Sequence, residues 1–161
     1  MVAVWGKALA AYSALFDKTP NLEDFDSRIH FQKTVYALKL LGINFGDIHF
    51  TWFHRGPYSF EIAGKYPKNV SGENSLTPKE KQILEKNKVR LKEQLKEPRN
   101  AELFSSVAYL VFEEKMGDAD VVHRMGLVKP WFAEEQVRQT ISGVKQYFAP
   151  TKKIIFSTNP Q

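Results

Sequence analysis

Apolar side chains recur at helical spacing over most of this chain. Near its start, Trp5, Leu9, Tyr12 and Phe16 follow one another at i, i+4, i+7 and i+11, which predicts a helix over Val2–Phe16 with one buried face. The acidic stretch Asp17–Asp26, holding Pro20, reads as a loop. A second helix then runs to about Leu41, capped by Asp26 or Ser27 and ended by Gly42 at a left-handed position. Phe31, Val35 and Leu38 make one apolar stripe on it, and Ile29, Tyr36 and Leu40 make another. A helix that is apolar on more than one side is surrounded, so this one belongs at the centre of the domain.

The period changes to two at Asp47–His54, where Ile48, Phe50 and Trp52 alternate with His49, Thr51 and Phe53, as in a strand. Arg55-Gly56-Pro57-Tyr58-Ser59 then turns the chain, and Ser59 is placed to cap a short helix to about Tyr66. Polar residues over Pro67–Pro78 predict a loop. A helix from Thr77 or Pro78 to about Glu97 follows, with Pro98 ending it. Asn100 caps an apolar helix, Ala101–Met116, in which Leu103, Val107, Leu110 and Val111 face inward. A short helix near Asp118–Met125 and an amphipathic one over Ala133–Phe148 complete the series. The expected fold class is mainly α: one compact multi-helix domain over residues 1–150 with a small β-strand or hairpin element, a layout that includes winged-helix-like arrangements. Residues 151–161 form a tail whose Ile154-Ile155-Phe156 run suits either an added strand or loose docking.

Composition supports a packed core. The chain has 161 residues, 43% of them apolar, with twelve Phe, six Tyr and three Trp to fill an interior. Cysteine is absent, which excludes disulfides, thiol nucleophiles, zinc fingers and cysteine-ligated clusters, and fits a cytoplasmic protein. No stretch approaches the roughly 20 apolar residues of a membrane span. The opening segment reads as an amphipathic helix rather than a signal peptide.

Catalytic chemistry finds no foothold. His30, His49, His54 and His123 lack the one-turn spacing of a zinc-protease pair. On a strand, the odd separation of His49 and His54 sends them to opposite faces, against a shared metal. Nucleophile elbow, P-loop and Gly-x-Gly-x-x-Gly patterns are all missing. No catalytic residue, metal or cofactor is therefore indicated.

Charge adds one candidate surface. The formal net charge is +5, and Thr77–Arg99 carries eight cations against four acids. On a continuous helix, Lys81, Lys88, Lys92, Lys96 and Arg99 fall within roughly 80° of one another. Several aligned cations suit a nucleic-acid backbone. The other reading is a solvated lysine-rich helix held by pairs such as Glu85–Lys88 and Glu93–Lys96. No aromatic interleaves the stripe, which argues against stacking of single-stranded bases there.

The centre of the chain carries a resemblance. Arg28-Ile29-His30-Phe31-Gln32-Lys33-Thr34-Val35-Tyr36, followed by Phe53-His54-Arg55-Gly56-Pro57-Tyr58-Ser59, resembles the paired signature of the YwgA-like uncharacterised prokaryotic proteins. There a Leu-Gln-Lys-x-x-Tyr helix precedes a strand ending in Gly-Pro-Tyr-Ser. More distantly the layout is similar to the Panacea/SocA-like antitoxin domains, and Lys129-Pro130-Trp131-Phe132 with Glu134-Glu135 extends the similarity to roughly residues 28–148. The chain departs at Phe31, where Leu is common, and at Arg55, where an aromatic is common. The resemblance implies toxin neutralisation or adaptor work, that is, protein binding.

Two roles stand for Gln32, Lys33, Arg55, Gly56, Pro57, Tyr58 and Ser59. In one, Gln32 hydrogen-bonds the turn and Tyr58 packs over Lys33, a structural motif. In the other, Gln32, Lys33, Arg55 and Tyr58 line a polar surface that recognises a partner. The leading expectation is a non-enzymatic regulatory or protein-interaction module, antitoxin-like in manner. The alternative is a nucleic-acid-binding, winged-helix-like regulator using the basic helix 79–99. A small enzyme built on Lys33, Arg55 or His54 is the third.

Overall fold

The computed structural model describes residues 2–63 and 76–157, with side chains over 4–63 and 76–148. The expected class is found: six helices and one small antiparallel hairpin among the described residues. The helices are α1 (Val2–Phe16), α2 (Phe25–Leu41), α3 (Pro78–Gln94), α4 (Pro98–Phe112), α5 (Asp118–Val128) and α6 (Glu134–Ser157). Strands β1 (Thr51–Phe53) and β2 (Gly56–Tyr58) form the hairpin, and a single 3-10 turn covers Phe60–Ile62. The chain divides into two compact units, Met1–Glu102 and Leu103–Gln161.

In the first unit α2 is the axis. From Ile29 to Leu41 every residue except Lys39 is buried, and α1 and β2 pack against the helix. Fully burying side chains of the size of Phe31, Val35 and Leu38 contributes roughly 1.5–3 kcal/mol each. The helix starts at Phe25 rather than after Asp26, because the Asp24 carboxylate accepts the Ser27 N–H at 2.9 Å and so caps it. Gly42 ends it at φ 120°, where its N–H reaches the carbonyls of Leu38 and Lys39.

Polar contacts join α1 and the end of α3 to this axis. Inside α2, His30 is 6% exposed and hydrogen-bonded on both ring nitrogens. The Tyr12 hydroxyl of α1 donates to Nδ1 at 2.9 Å, so Nε2–H donates to the Leu95 carbonyl at the end of α3. That carbonyl is one of the four that a helix terminus leaves without an internal partner. Burial holds the His30 pKa below the ordinary 6.5, with Lys18 adding to the effect; the Leu95 bond and Glu97 oppose it. A folded pKa below the unfolded one favours the neutral ring. The stability this adds is complete above about pH 6.5 and is lost as pH falls below it. Ring-proton NMR should therefore give His30 a pKa under 6.5, and a His30→Gln variant should lose the part of the melting-temperature decline that sets in there.

At the start of α3, Thr77 and Glu80 form a reciprocal capping box. Glu80 also accepts the Asn44 N–H at 2.6 Å and pairs with Lys7 of α1 at 2.8 Å. Helix α3 stops at Gln94, with Leu95 as its cap, three residues short of the expected end. Pro98 does not terminate it. Pro98 instead opens α4, where its missing N–H costs nothing, so α4 begins before Asn100.

The strand expected over Asp47–His54 is confined to Thr51–Phe53, and the expected turn contains the second strand. Phe53 pairs with Gly56, Trp52 with Pro57 and Thr51 with Tyr58, leaving His54-Arg55 as the two-residue link. Gly56, the first residue after the link, takes φ 99°, a conformation open to glycine. Ser59 heads only the 3-10 turn, and its hydroxyl donates to Glu61 at 2.7 Å instead of capping a helix. The remainder of the helix expected to Tyr66, and most of the loop after it, lie outside the described residues.

In the second unit, Phe104, Val107, Leu110, Val121, Met125, Val137, Ile141 and Phe148 form the buried core. Helix α5 continues past Gly126 to Val128. Helix α6 runs to Ser157, through the segment for which a tail strand was expected.

Candidate functional site

The two sequence blocks at Gln32-Lys33 and Gly56–Ser59 meet inside the first unit. Gln32 Nε2 donates to the Ser59 carbonyl at 2.9 Å, and Oε1 accepts the Ser59 N–H at 2.9 Å. One side-chain amide thus serves both main-chain groups of a residue that is fully buried. The Lys33 ammonium donates to the Pro57 carbonyl at 2.6 Å, with the side chain 0% exposed. Three-residue strands make too few ladder bonds to stand alone in water. Here the hairpin is fastened from beneath by α2.

This geometry decides where the candidate residues sit. Gln32, Lys33, Gly56, Pro57 and Ser59 are buried, and the polar ends of Gln32 and Lys33 are bonded to the main chain of Ser59 and Pro57. Arg55 is exposed at the link, 3.8 Å from the Glu102 carboxylate, its guanidinium carbon 5.7 Å from the centre of the Phe25 ring. Tyr58 is half-buried, between the rings of Phe53 and Phe60, each 5.1 Å away. Lys33 bonds to Pro57, His54 packs edge-on to Phe53, and Arg55 lies over Phe25. The three residues weighed for an unfamiliar enzyme thus lean on different neighbours.

Ser59, Glu61 and His49 form a small polar chain that sequence reasoning missed. Glu61 accepts from the Ser59 hydroxyl at 2.7 Å and bonds the His49 Nδ1 at 3.0 Å. The Ser59 bond, with help from His49, outweighs partial burial and holds the Glu61 carboxyl down to about 2. Nucleophile chemistry does not follow. The carboxylate stands between serine and imidazole, so His49 cannot take the hydroxyl proton, and the serine is sealed from solvent.

Above the clamp lies an aromatic face. Phe25, Phe53 and Phe60 are 52%, 43% and 64% exposed. Phe53 and Phe60 lie 6.0 Å apart in edge-to-face contact, and Arg55 bridges from the hairpin to Phe25. One sign of this face was present in the alternation of Asp47–His54: Phe53 falls on the polar side, with His49 and Thr51. An aromatic on the wet side of a strand has no burial to gain there.

The cationic stripe is divided. Lys81, Lys88 and Lys92 are on α3, Lys96 lies in the turn after it, and Arg99 belongs to the first turn of α4. The basic helix 79–99 is therefore corrected to two helices, with the break after Gln94 rather than at Pro98. Lys88 and Lys92 both reach Asp17, just after α1, at 2.8 and 3.5 Å. Hydrogen bonding to Lys88 lowers the Asp17 pKa, and the same bond raises that of Lys88. Lys88 and Lys92 thus already face a carboxylate.

No protein-family model, curated protein or solved structure matches this chain. Among the described residues, no group of three or more His, Asp and Glu is placed to hold a metal ion. No helix among them is long and apolar enough to cross a membrane.

Proposed function

We propose that the chain is a non-enzymatic protein-interaction module that docks a protein partner on the face formed by Phe25, Phe53 and Phe60. The observation that carries this reading is the exposure of three large aromatic side chains, Phe25 at the start of α2, Phe53 on the hairpin and Phe60 in the turn after it, around a hairpin fixed by buried polar bonds. Rigid aromatics lose little freedom on binding and dominate interface energies. Arg55 beside them adds a residue type enriched at such sites. A cytoplasmic, antitoxin-like adaptor of the kind implied by the YwgA-like and Panacea/SocA-like resemblance fits this role. The nucleic-acid reading has less support, since the cations it relied on are split between helices and partly paired.

The test is site-specific photocrosslinking in cells. A photoreactive residue at Phe53 or Phe60 should capture a defined protein, while one at Val89, exposed on α3, should not. With that protein purified, Phe53→Ala combined with Phe60→Ala should weaken binding by about 2–4 kcal/mol, 30-fold or more. Equal capture from Val89, or unchanged affinity of the double variant, would refute the assignment.

A further inference from the structure

Behind the aromatic face, the first unit holds a partly open cavity of about 270 Å³ between the start of α2, α1 and the hairpin. That volume is close to the lower end for small-molecule sites. Its walls include Trp5, Phe25, Ile29, Phe31 and Tyr58, with Trp5 and Phe31 stacked at 5.8 Å. A cavity walled only by such rings would hold a neutral apolar molecule. This one also has Arg28 in its lining.

The state of Arg28 gives the site its sign. Nη1 donates to the carbonyls of Leu22 at 3.1 Å and Glu23 at 2.9 Å, and the guanidinium carbon lies 5.9 Å from the centre of the Phe25 ring. Those bonds fix the plane of the group while using two of its five N–H donors. The other donors, on Nη2 and Nε, have no hydrogen-bond or ion-pair partner among the described residues. The nearest cap carboxylate in sequence, Asp24, is occupied by the Ser27 N–H. A fixed guanidinium edge beside aromatic walls has the form of a carboxylate receptor.

We infer that this cavity binds a one-ring aromatic carboxylate, with the ring among Trp5, Phe31 and Tyr58 and the carboxylate on the unspent N–H groups of Arg28. The inference does not rest on the docking reading, although Phe25 belongs to both the outer face and the cavity wall, because its test reads a small molecule and uses Arg28 and Ala63, which the docking reading does not.

Amide chemical-shift titration of the labelled full chain tests it, with phenylacetate as the probe. Saturable shifts confined to Trp5 and its neighbours and to residues 22–32 and 58–63 are expected at millimolar concentration. Phenylacetamide, which keeps the ring and lacks the charge, should bind about tenfold more weakly or worse, and acetate should not saturate. Arg28→Gln should lower phenylacetate affinity by a similar factor while leaving phenylacetamide unchanged. Ala63→Phe, which fills the cavity with Arg28 intact, should abolish binding of both and stands as the test should Arg28→Gln fail to fold. Absence of saturable shifts, equal affinity for phenylacetate and phenylacetamide, or binding retained in Ala63→Phe would each overturn the assignment.

Discussion

Gln32→Leu is expected to lower the stability of the chain by about 2–5 kcal/mol, among the largest effects available to one surface-neutral, near-isosteric change. Leucine fills much the same volume, so little of the loss comes from a cavity. The loss comes from Ser59, whose N–H and carbonyl both end on the Gln32 amide in a site closed to water. Each orphaned buried group costs about 1–3 kcal/mol. Gln32→Glu should do no better, since a carboxylate accepts the N–H but sets a second acceptor against the Ser59 carbonyl. Urea unfolding followed by far-ultraviolet circular dichroism measures the loss. A change below about 0.5 kcal/mol, the range of an ordinary surface substitution, would show that the clamp is dispensable.

Glu80→Gln is expected to destabilise at neutral pH by about 3 kcal/mol, and the deficit should close in acid. The carboxylate serves Lys7, Thr77 and Asn44 from one buried position, so the variant strands the Lys7 ammonium. Burial works to raise the Glu80 pKa, but the Lys7 bond and the two main-chain N–H donors outweigh it and hold the value at about 2, against an ordinary 4.5. A depressed folded pKa means the unfolded chain takes up protons first as pH falls. The contribution is therefore complete above about pH 4.5 and is lost between there and about 2. Denaturation curves of parent and variant should converge across that window. Glu61, held down to about 2 by Ser59, titrates in both proteins and cancels in the difference. Parallel curves from pH 7 to 2 would contradict the arrangement.

Legibility from sequence followed the range of the forces. Helix α1 was readable to the residue because its stripe is local, and the burial of α2 on nearly every side followed from its two apolar stripes. The Gly42 stop is equally local, needing only a residue tolerant of positive φ. The hairpin was half visible. Pro57 argued for a turn, yet it sits in β2, where its missing N–H is tolerated at an edge and its carbonyl is taken by Lys33, 24 residues away. A break between α3 and α4 was expected at Pro98, but Pro98 was read as a stop when it is a start, and α3 ends earlier, at Gln94. That difference carried Lys96 onto a helix that does not reach it. The Thr77-Pro78-Lys79-Glu80 capping box was present in the letters, but its links to Lys7 and Asn44 are tertiary. In the candidate site, the match between Gln32-Lys33 and the Gly-Pro-Tyr-Ser block was visible as a motif. Of the exposed aromatics only Phe53 left a sign, on the polar side of its strand, since exposure depends on what fails to cover a ring.

The bonds that seat the hairpin use side chains of α2 and main-chain atoms of Pro57 and Ser59. None of them depends on the identity of the side chains at Thr51, Phe53, His54 or Phe60, all exposed. Display is thereby uncoupled from folding. The outward positions amount to an interchangeable tip on a constant mount, and a chain that keeps Gln32, Lys33, Gly56 and Pro57 is able to exchange one recognition surface for another without rebuilding its interior.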